Sequence, residues 1–146
     1  MKRKTALLWA ATILYTLLIF SFSLMKGSSS DNLSQGGTFF LMPLFRMLGL
    51  SFENSHVLMR KLAHFGEYYI LLFFVRAASE NTFPKKGAML CIILYGILAP
   101  VLDEMIQLFV PGRAGALMDV MIDMSGYFAA WATASLIHQR ISDQNG

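Results

Sequence analysis

The sequence predicts an all-α integral membrane bundle of about four transmembrane helices, with an interfacial segment between the first and second, and three observations lead there. Hydrophobic residues fill 55% of the 146 positions and charged residues only 14%, a balance outside that of an ordinary soluble domain. Apolar runs of about 20 residues recur, the length that crosses a hydrocarbon core of ~30 Å. Five of the nine acids, with a histidine and several basic residues, gather at one end of those runs. The length suits one domain, 1–146, of four spans with short connections.

The first span is read at 5–25, an unbroken apolar run between Lys2, Arg3, Lys4 and Lys26. Ser21, Phe22 and Ser23 resemble a signal-cleavage site, but the run exceeds the ~7–15 residues of a signal peptide and reads as a retained span. From Gly27 to Gly37 the chain turns polar, with Ser28, Ser29, Ser30, Asp31 and Asn32, and a flexible loop is expected. Thr38 to Leu50 is apolar again but broken by Pro43 and Gly49. It is too short to span and suits an interfacial or re-entrant position.

Ser51 or Asn54 can cap the next helix, whose span is read at 58–78, ending near Arg76. A turn over Asn81, Pro84, Lys85, Lys86 and Gly87 precedes a third span at 88–110, with flexion expected at Gly96 and Pro100. Pro111 and Gly112 stop it. The fourth span is read at 117–137, with a polar tail from His138. Gly126 and Ala130, four apart, offer a small-residue face for close helix packing.

Charge and cysteine content exclude other classes. The net charge of +3 comes from basic residues scattered along the chain, not from one basic stripe, so nucleic acid is not a partner. Membrane lipids are. The single cysteine, Cys91, lies in an apolar stretch and reads as a buried hydrophobe. Positive residues near span ends favour the cytoplasm, so Lys2, Arg3 and Lys4 place the N-terminus inside, and four crossings return the C-terminus to the same side. Lys26, Arg46, Arg60, Lys61 and Arg113 then fall outside; the last three sit beside acids that can pair with them. His56 and His138, near helix ends, read as solvated.

Within or bordering the spans lie Arg60, Lys61, His64, Glu67, Asp103, Glu104, Gln107, Asp119 and Asp123, with Arg113 in the turn between the third and fourth. A charge at a helix centre costs roughly 2.5–3.5 kcal/mol on insertion scales, so such groups need partners, water or a task. Spacing aligns them: Arg60 and His64 are four apart, His64 and Glu67 three, Asp103 and Gln107 four, Asp119 and Asp123 four, giving each helix one polar stripe. The second span enters, the third leaves and the fourth enters at the same membrane end, so the stripes can converge. Five of the nine acids belong to this region. A structural ion-pair network and a ligand site both account for it. His64 with carboxylates has the chemistry to hold Zn or Mn, but no HExxH pattern is present, so no metal set is assigned and the cofactor is left open. A Glu or His in such a desolvated site also suits acid–base chemistry.

At these residues the chain resembles the VanZ-like family of small bacterial membrane proteins. One stretch is Arg60-Lys61-Leu62-Ala63-His64-Phe65-Gly66-Glu67-Tyr68, similar to the family's basic-His-aromatic segment. The more specific one is Asp103-Glu104-Met105-Ile106-Gln107-Leu108-Phe109-Val110-Pro111-Gly112-Arg113, followed by Asp119-Val120 and Asp123 with Gly126, which looks like the family's acidic-x-x-Gln, Pro-Gly-Arg and Asp-Val pattern. Ala116 stands where many members carry a polar residue, and Asp123 where Asn is frequent. The resemblance implies a multi-pass protein of the bacterial plasma membrane linked to glycopeptide resistance, chiefly to teicoplanin. Two functions are then expected. In one, an outward polar pocket engages a lipid-linked cell-wall precursor or a glycopeptide's lipid tail. In the other, the chain is a membrane-embedded hydrolase or transferase acting on a polyprenyl phosphate or lipid headgroup, with His64 and a carboxylate moving protons. Transport fits less well, because one four-helix copy offers few walls for a pathway.

Overall fold

The computed structural model describes residues 2–47, 49, 51–113 and 115–144, without the side chains at 31, 52–54, 56, 138 and 141–144. The described residues form five helices and no strand: α1 (Lys2–Ser23), α2 (Gly27–Met47), α3 (Phe52–Glu80), α4 (Lys85–Leu108) and α5 (Leu117–Gln144). By length and composition α1, α4 and residues Leu117–Ile137 of α5 can each cross a membrane. The fourth candidate is α3, which is less apolar than those three but packs against each of the other four helices.

That central position follows from its buried face. Tyr68, Leu71, Leu72 and Val75 of α3 are fully buried with Ile19 of α1, Ile92 and Ala99 of α4, and Tyr127 and Ala130 of α5. Outside this narrow core the large apolar side chains point outward, among them Leu14, Leu17, Leu98, Met105 and Met121. Lipid covers them. Several hydroxyls at this depth bond within the bundle, as lipid offers them no partner. The Thr12 and Thr16 hydroxyls donate to the carbonyls of Leu8 and Thr12 at 2.8 Å each, and Thr16 Oγ1 meets the Tyr95 hydroxyl at 2.7 Å. At the far end Trp9 Nε1 donates to Thr82 Oγ1 at 2.8 Å, tying the start of α1 to the α3–α4 turn.

Two glycines set how closely α5 sits. A Cβ at Gly126 would stand under 3.0 Å from the Phe65 carbonyl, and one at Gly96 would stand 2.5 Å from the Tyr127 ring. The Tyr127 hydroxyl donates to the Ile92 carbonyl at 3.0 Å, which gives the buried ring a polar anchor.

The helix boundaries depart from the sequence expectations in four places. Gly27 to Gly37 is not a flexible loop but the first half of α2, which continues past Pro43 to Met47. Weak propensity is overridden by packing. Ser34 and Thr38 donate to the carbonyls of Ser30 and Ser34 at 3.0 and 2.8 Å, Thr38 and Phe45 are buried, and Gly37 admits Met59 of α3. The opposite face exposes Leu33, Phe39, Phe40, Leu44 and Met47, an amphipathic division that suits an interface. Leu48 and Leu50 lie outside the described residues.

The second departure is that α3 runs past Arg76 to Glu80, joined by a 2.8 Å Arg76–Glu80 ion pair one turn apart. Ser51 stands just before this helix and its carbonyl accepts from the Ser55 amide at 2.9 Å and the Ser55 hydroxyl at 2.7 Å; Asn54 lies inside the helix. Third, α4 begins at Lys85, because Pro84 at φ −62° stands before it in extended backbone, and it ends at Leu108 with Val110 in the turn. Pro100 sits inside α4 without ending it. Fourth, α5 extends beyond His138 to Gln144, since no Gly or Pro interrupts 127–144.

Candidate functional site

The C-terminal end of α1, the start of α2, the first half of α3, the end of α4 and the start of α5 lie together at one end of the bundle. The polar stripes of α3, α4 and α5 meet there. His64 Nδ1 stands 3.3 Å from Asp123 Oδ1, and one ligand atom from each of His64, Asp103 and Asp123 lies within 4.8 Å of the others. Asp103 and Asp123 are both 0% exposed.

Gln107 and Arg113 connect this group to the surface. Gln107 Nε2 donates to Ser23 Oγ at 3.2 Å and to Asp103 Oδ2 at 3.4 Å. Arg113 donates to Gln107 Oε1 at 3.0 Å and to the Phe22 carbonyl at 3.1 Å. Its position comes from Gly112, whose φ of +78° is a left-handed conformation that glycine adopts without a Cβ clash. The α4–α5 turn therefore folds back over the carboxylates. Gly27 is packed against Gly112 so tightly that a Cβ there would stand under 3.0 Å from the Gly112 carbonyl.

Two cavities open beside this network. One, of about 220 Å³, is lined by Gly27, Ser30, Arg60, His64, Gln107, Gly112, Arg113 and Asp119. Its neighbour, of about 190 Å³, shares Ser30, Arg60, His64 and Arg113 and adds Glu67 together with Phe22, Met25 and Leu33. Phe22 and Leu33 are also exposed on the bundle surface, so the second cavity has an apolar margin toward lipid.

Of the ten residues singled out in the sequence, His64, Asp103, Gln107, Arg113 and Asp123 form the interior network, and Arg60, Glu67 and Asp119 line the cavities. Two do other things. Glu104 turns to the α4–α5 connection, where Oε1 accepts the Ala116 amide, closing the turn that carries Arg113. Lys61 is half-buried and lines neither cavity. His56 and His138 have side chains outside the described residues.

Several participants were not legible beforehand. Ser23 and the Phe22 carbonyl come from the segment that resembles a cleavage site, and Gly27 and Ser30 from the stretch expected to be loop. Their only signal was a Gly-Ser run placed directly after a span.

No curated protein and no solved structure matches the chain. The model of one family, VanZ/LLP1, matches residues 7–138, which takes in α1 through most of α5 and every residue of both cavities. The chain is a multi-pass membrane protein and belongs to the VanZ/LLP1 family.

Proposed function

We propose that this chain works in the bacterial cell envelope by holding the anionic headgroup of a lipid-linked cell-wall intermediate in the polar cavity at the outer membrane face. The observation that carries this reading is the pair Arg60 and Arg113, which line both cavities and are the residue type that recognises phosphate through paired N–H donors. The start of α2 adds to it, because Gly27 and Ser30 line the same space and a helix N-terminus favours anions. Asp119 opposes them in the larger cavity and Glu67 in its neighbour, while both guanidinium groups border both spaces. The basic cluster at Lys2, Arg3 and Lys4 on the opposite end supports the outer placement.

Size bears on which headgroup the pocket can take. At about 220 and 190 Å³ the two adjoining cavities lie at most at the low end of the ~300–1,000 Å³ of sites for drug-sized molecules, so phosphate groups suit them and the body of a glycopeptide does not. The lipid chain would leave through the apolar margin at Phe22, Met25 and Leu33.

The test is binding of a polyprenyl pyrophosphate to purified protein in nanodiscs. Arg113→Ala is expected to weaken binding at least tenfold, from the loss of charge-assisted hydrogen bonds worth about 1.5–3 kcal/mol, and Arg113→Lys to restore only part of it. Unchanged affinity in the Arg60→Ala, Arg113→Ala double variant would refute the reading. The 3.3 Å approach of His64 to Asp123 favours a second reading, hydrolysis or transfer at the same headgroup. Turnover of the bound lipid, read as released phosphate for hydrolysis or as a new headgroup product for transfer, distinguishes the two, since a binding protein gives neither.

A further inference from the structure

The interior end of the polar network holds more negative charge than its own residues compensate. Asp123 is 0% exposed, and neither of its carboxylate oxygens makes a hydrogen bond; Asp103 is 0% exposed and its Oδ1 makes none. Buried charges in proteins are paired or bound to metal, because desolvation otherwise makes them too costly. His64 Nδ1 is the group facing Asp123, 3.3 Å from its Oδ1, and the two pair as ions when the imidazole is protonated. That separation has another meaning. Two ligand atoms each about 2.0–2.1 Å from a tetrahedral ion stand about 3.3–3.4 Å apart.

We infer that His64, Asp103 and Asp123 form a binding site for one divalent transition-metal ion in the bundle interior, behind the polar cavities that His64 lines. Their ligand atoms lie within 4.8 Å of one another, so a point about 2.8 Å or less from all three exists, and a shift of well under 1 Å per side chain brings each to a ligand distance of ~2.0–2.2 Å. One imidazole and two carboxylates suit Zn²⁺ or Mn²⁺, and two carboxylates beside a neutral imidazole balance the ion's charge. The outer partners are in place. Gln107 donates to Asp103 Oδ2 and accepts from Arg113, orienting the carboxylate as groups around metal ligands do. Three protein ligands leave the ion an open position, and of the three His64 is the one that lines both cavities.

The inference does not depend on what the cavity holds, and its test uses the metal alone. Full-length protein in nanodiscs, stripped with EDTA and dialysed, is titrated with Zn²⁺ and separately with Mn²⁺, and bound metal is counted by mass spectrometry. One equivalent of at least one ion is expected. Asp123→Asn and Asp103→Asn are each expected to lower affinity about 10- to 100-fold or more, whereas Glu80→Gln, at the far end of α3, leaves it unchanged. Thermal unfolding gives a second readout. Metal at about 100 times its Kd should raise the wild-type Tm by roughly 5–10 °C, reversibly with EDTA, and should not raise that of Asp123→Asn. Should the variants fail to fold, the wild-type stoichiometry and EDTA-reversible shift still decide the matter. Substoichiometric binding of both ions, or equal binding by wild type and folded Asp123→Asn, would overturn the site. Pyrophosphate-lipid binding measured with and without EDTA separates this failure from that of the headgroup reading.

Discussion

Gly126→Leu is expected to abolish a folded bundle. The substitution adds four carbons at a place where even a Cβ would stand under 3.0 Å from the Phe65 carbonyl, and the obstruction is helix backbone, which cannot rotate aside as a side chain can. Overpacking a well-filled core costs about 1–3 kcal/mol when neighbours adjust; here α5 must leave α3, and with it Tyr127 and Ala130 leave the core. Because whole domains are stable by only about 5–15 kcal/mol, aggregation or loss of the protein from the membrane should result. Size-exclusion in detergent and thermal unfolding check it, with Ser125→Leu as the control. Ser125 is exposed one position earlier on α5, faces lipid, and should accept leucine with the elution profile unchanged and a stability change within about 0.5 kcal/mol.

Gly27→Val should leave the bundle folded but break the site. Gly27 is buried where α1 hands over to α2, its amide donating to the Pro111 carbonyl at 3.4 Å and its Cα against Gly112. A branched side chain there must push the start of α2 away from the α4–α5 turn. Both walls of the larger cavity move apart, since Gly27 and Ser30 stand on one and Gly112 and Arg113 on the other. The bond from Arg113 to the Phe22 carbonyl is lost as well. The expected outcome is a stability loss of about 1–3 kcal/mol with at least a tenfold loss of pyrophosphate-lipid affinity, read in the same nanodisc assay. Full affinity in a folded Gly27→Val protein would mean that the ligand does not sit between these two turns.

The two glycines illustrate what could and could not be read beforehand. Gly126 with Ala130 stood out as a small-residue face on a helix, because periodic spacing predicts which residues share a face. The same logic aligned His64 with Glu67, Asp103 with Gln107 and Asp119 with Asp123, and the direction of each span put the three stripes at one end. Gly27 was opaque. In Gly27-Ser28-Ser29-Ser30 every residue favours loop or cap over helix interior, and only contacts with α3 and the 109–112 turn, remote in sequence, make the stretch a helix start. Glu104 shows a third case. Its neighbour Asp103 points inward to Gln107, while Glu104, about 100° further round the helix, meets the Ala116 amide; adjacency in sequence does not place adjacent residues on one face. Lys61, next to Arg60, stays outside the cavities for the same reason.

One measurement bears most directly on the central claim, that the converging stripes make an outward, water-accessible pocket for an anionic headgroup. The chain has one cysteine, Cys91, which lines the lipid-facing groove of α4 far from the cavities. In a Cys91→Ala background, Ser30→Cys places a thiol where both cavities meet. Intact cells are then treated with a membrane-impermeant maleimide. The account expects labelling from outside without permeabilisation, and protection by added polyprenyl pyrophosphate. Labelling only after the membrane is opened would contradict the outward placement, and labelling unaffected by the lipid would contradict the pocket's ligand.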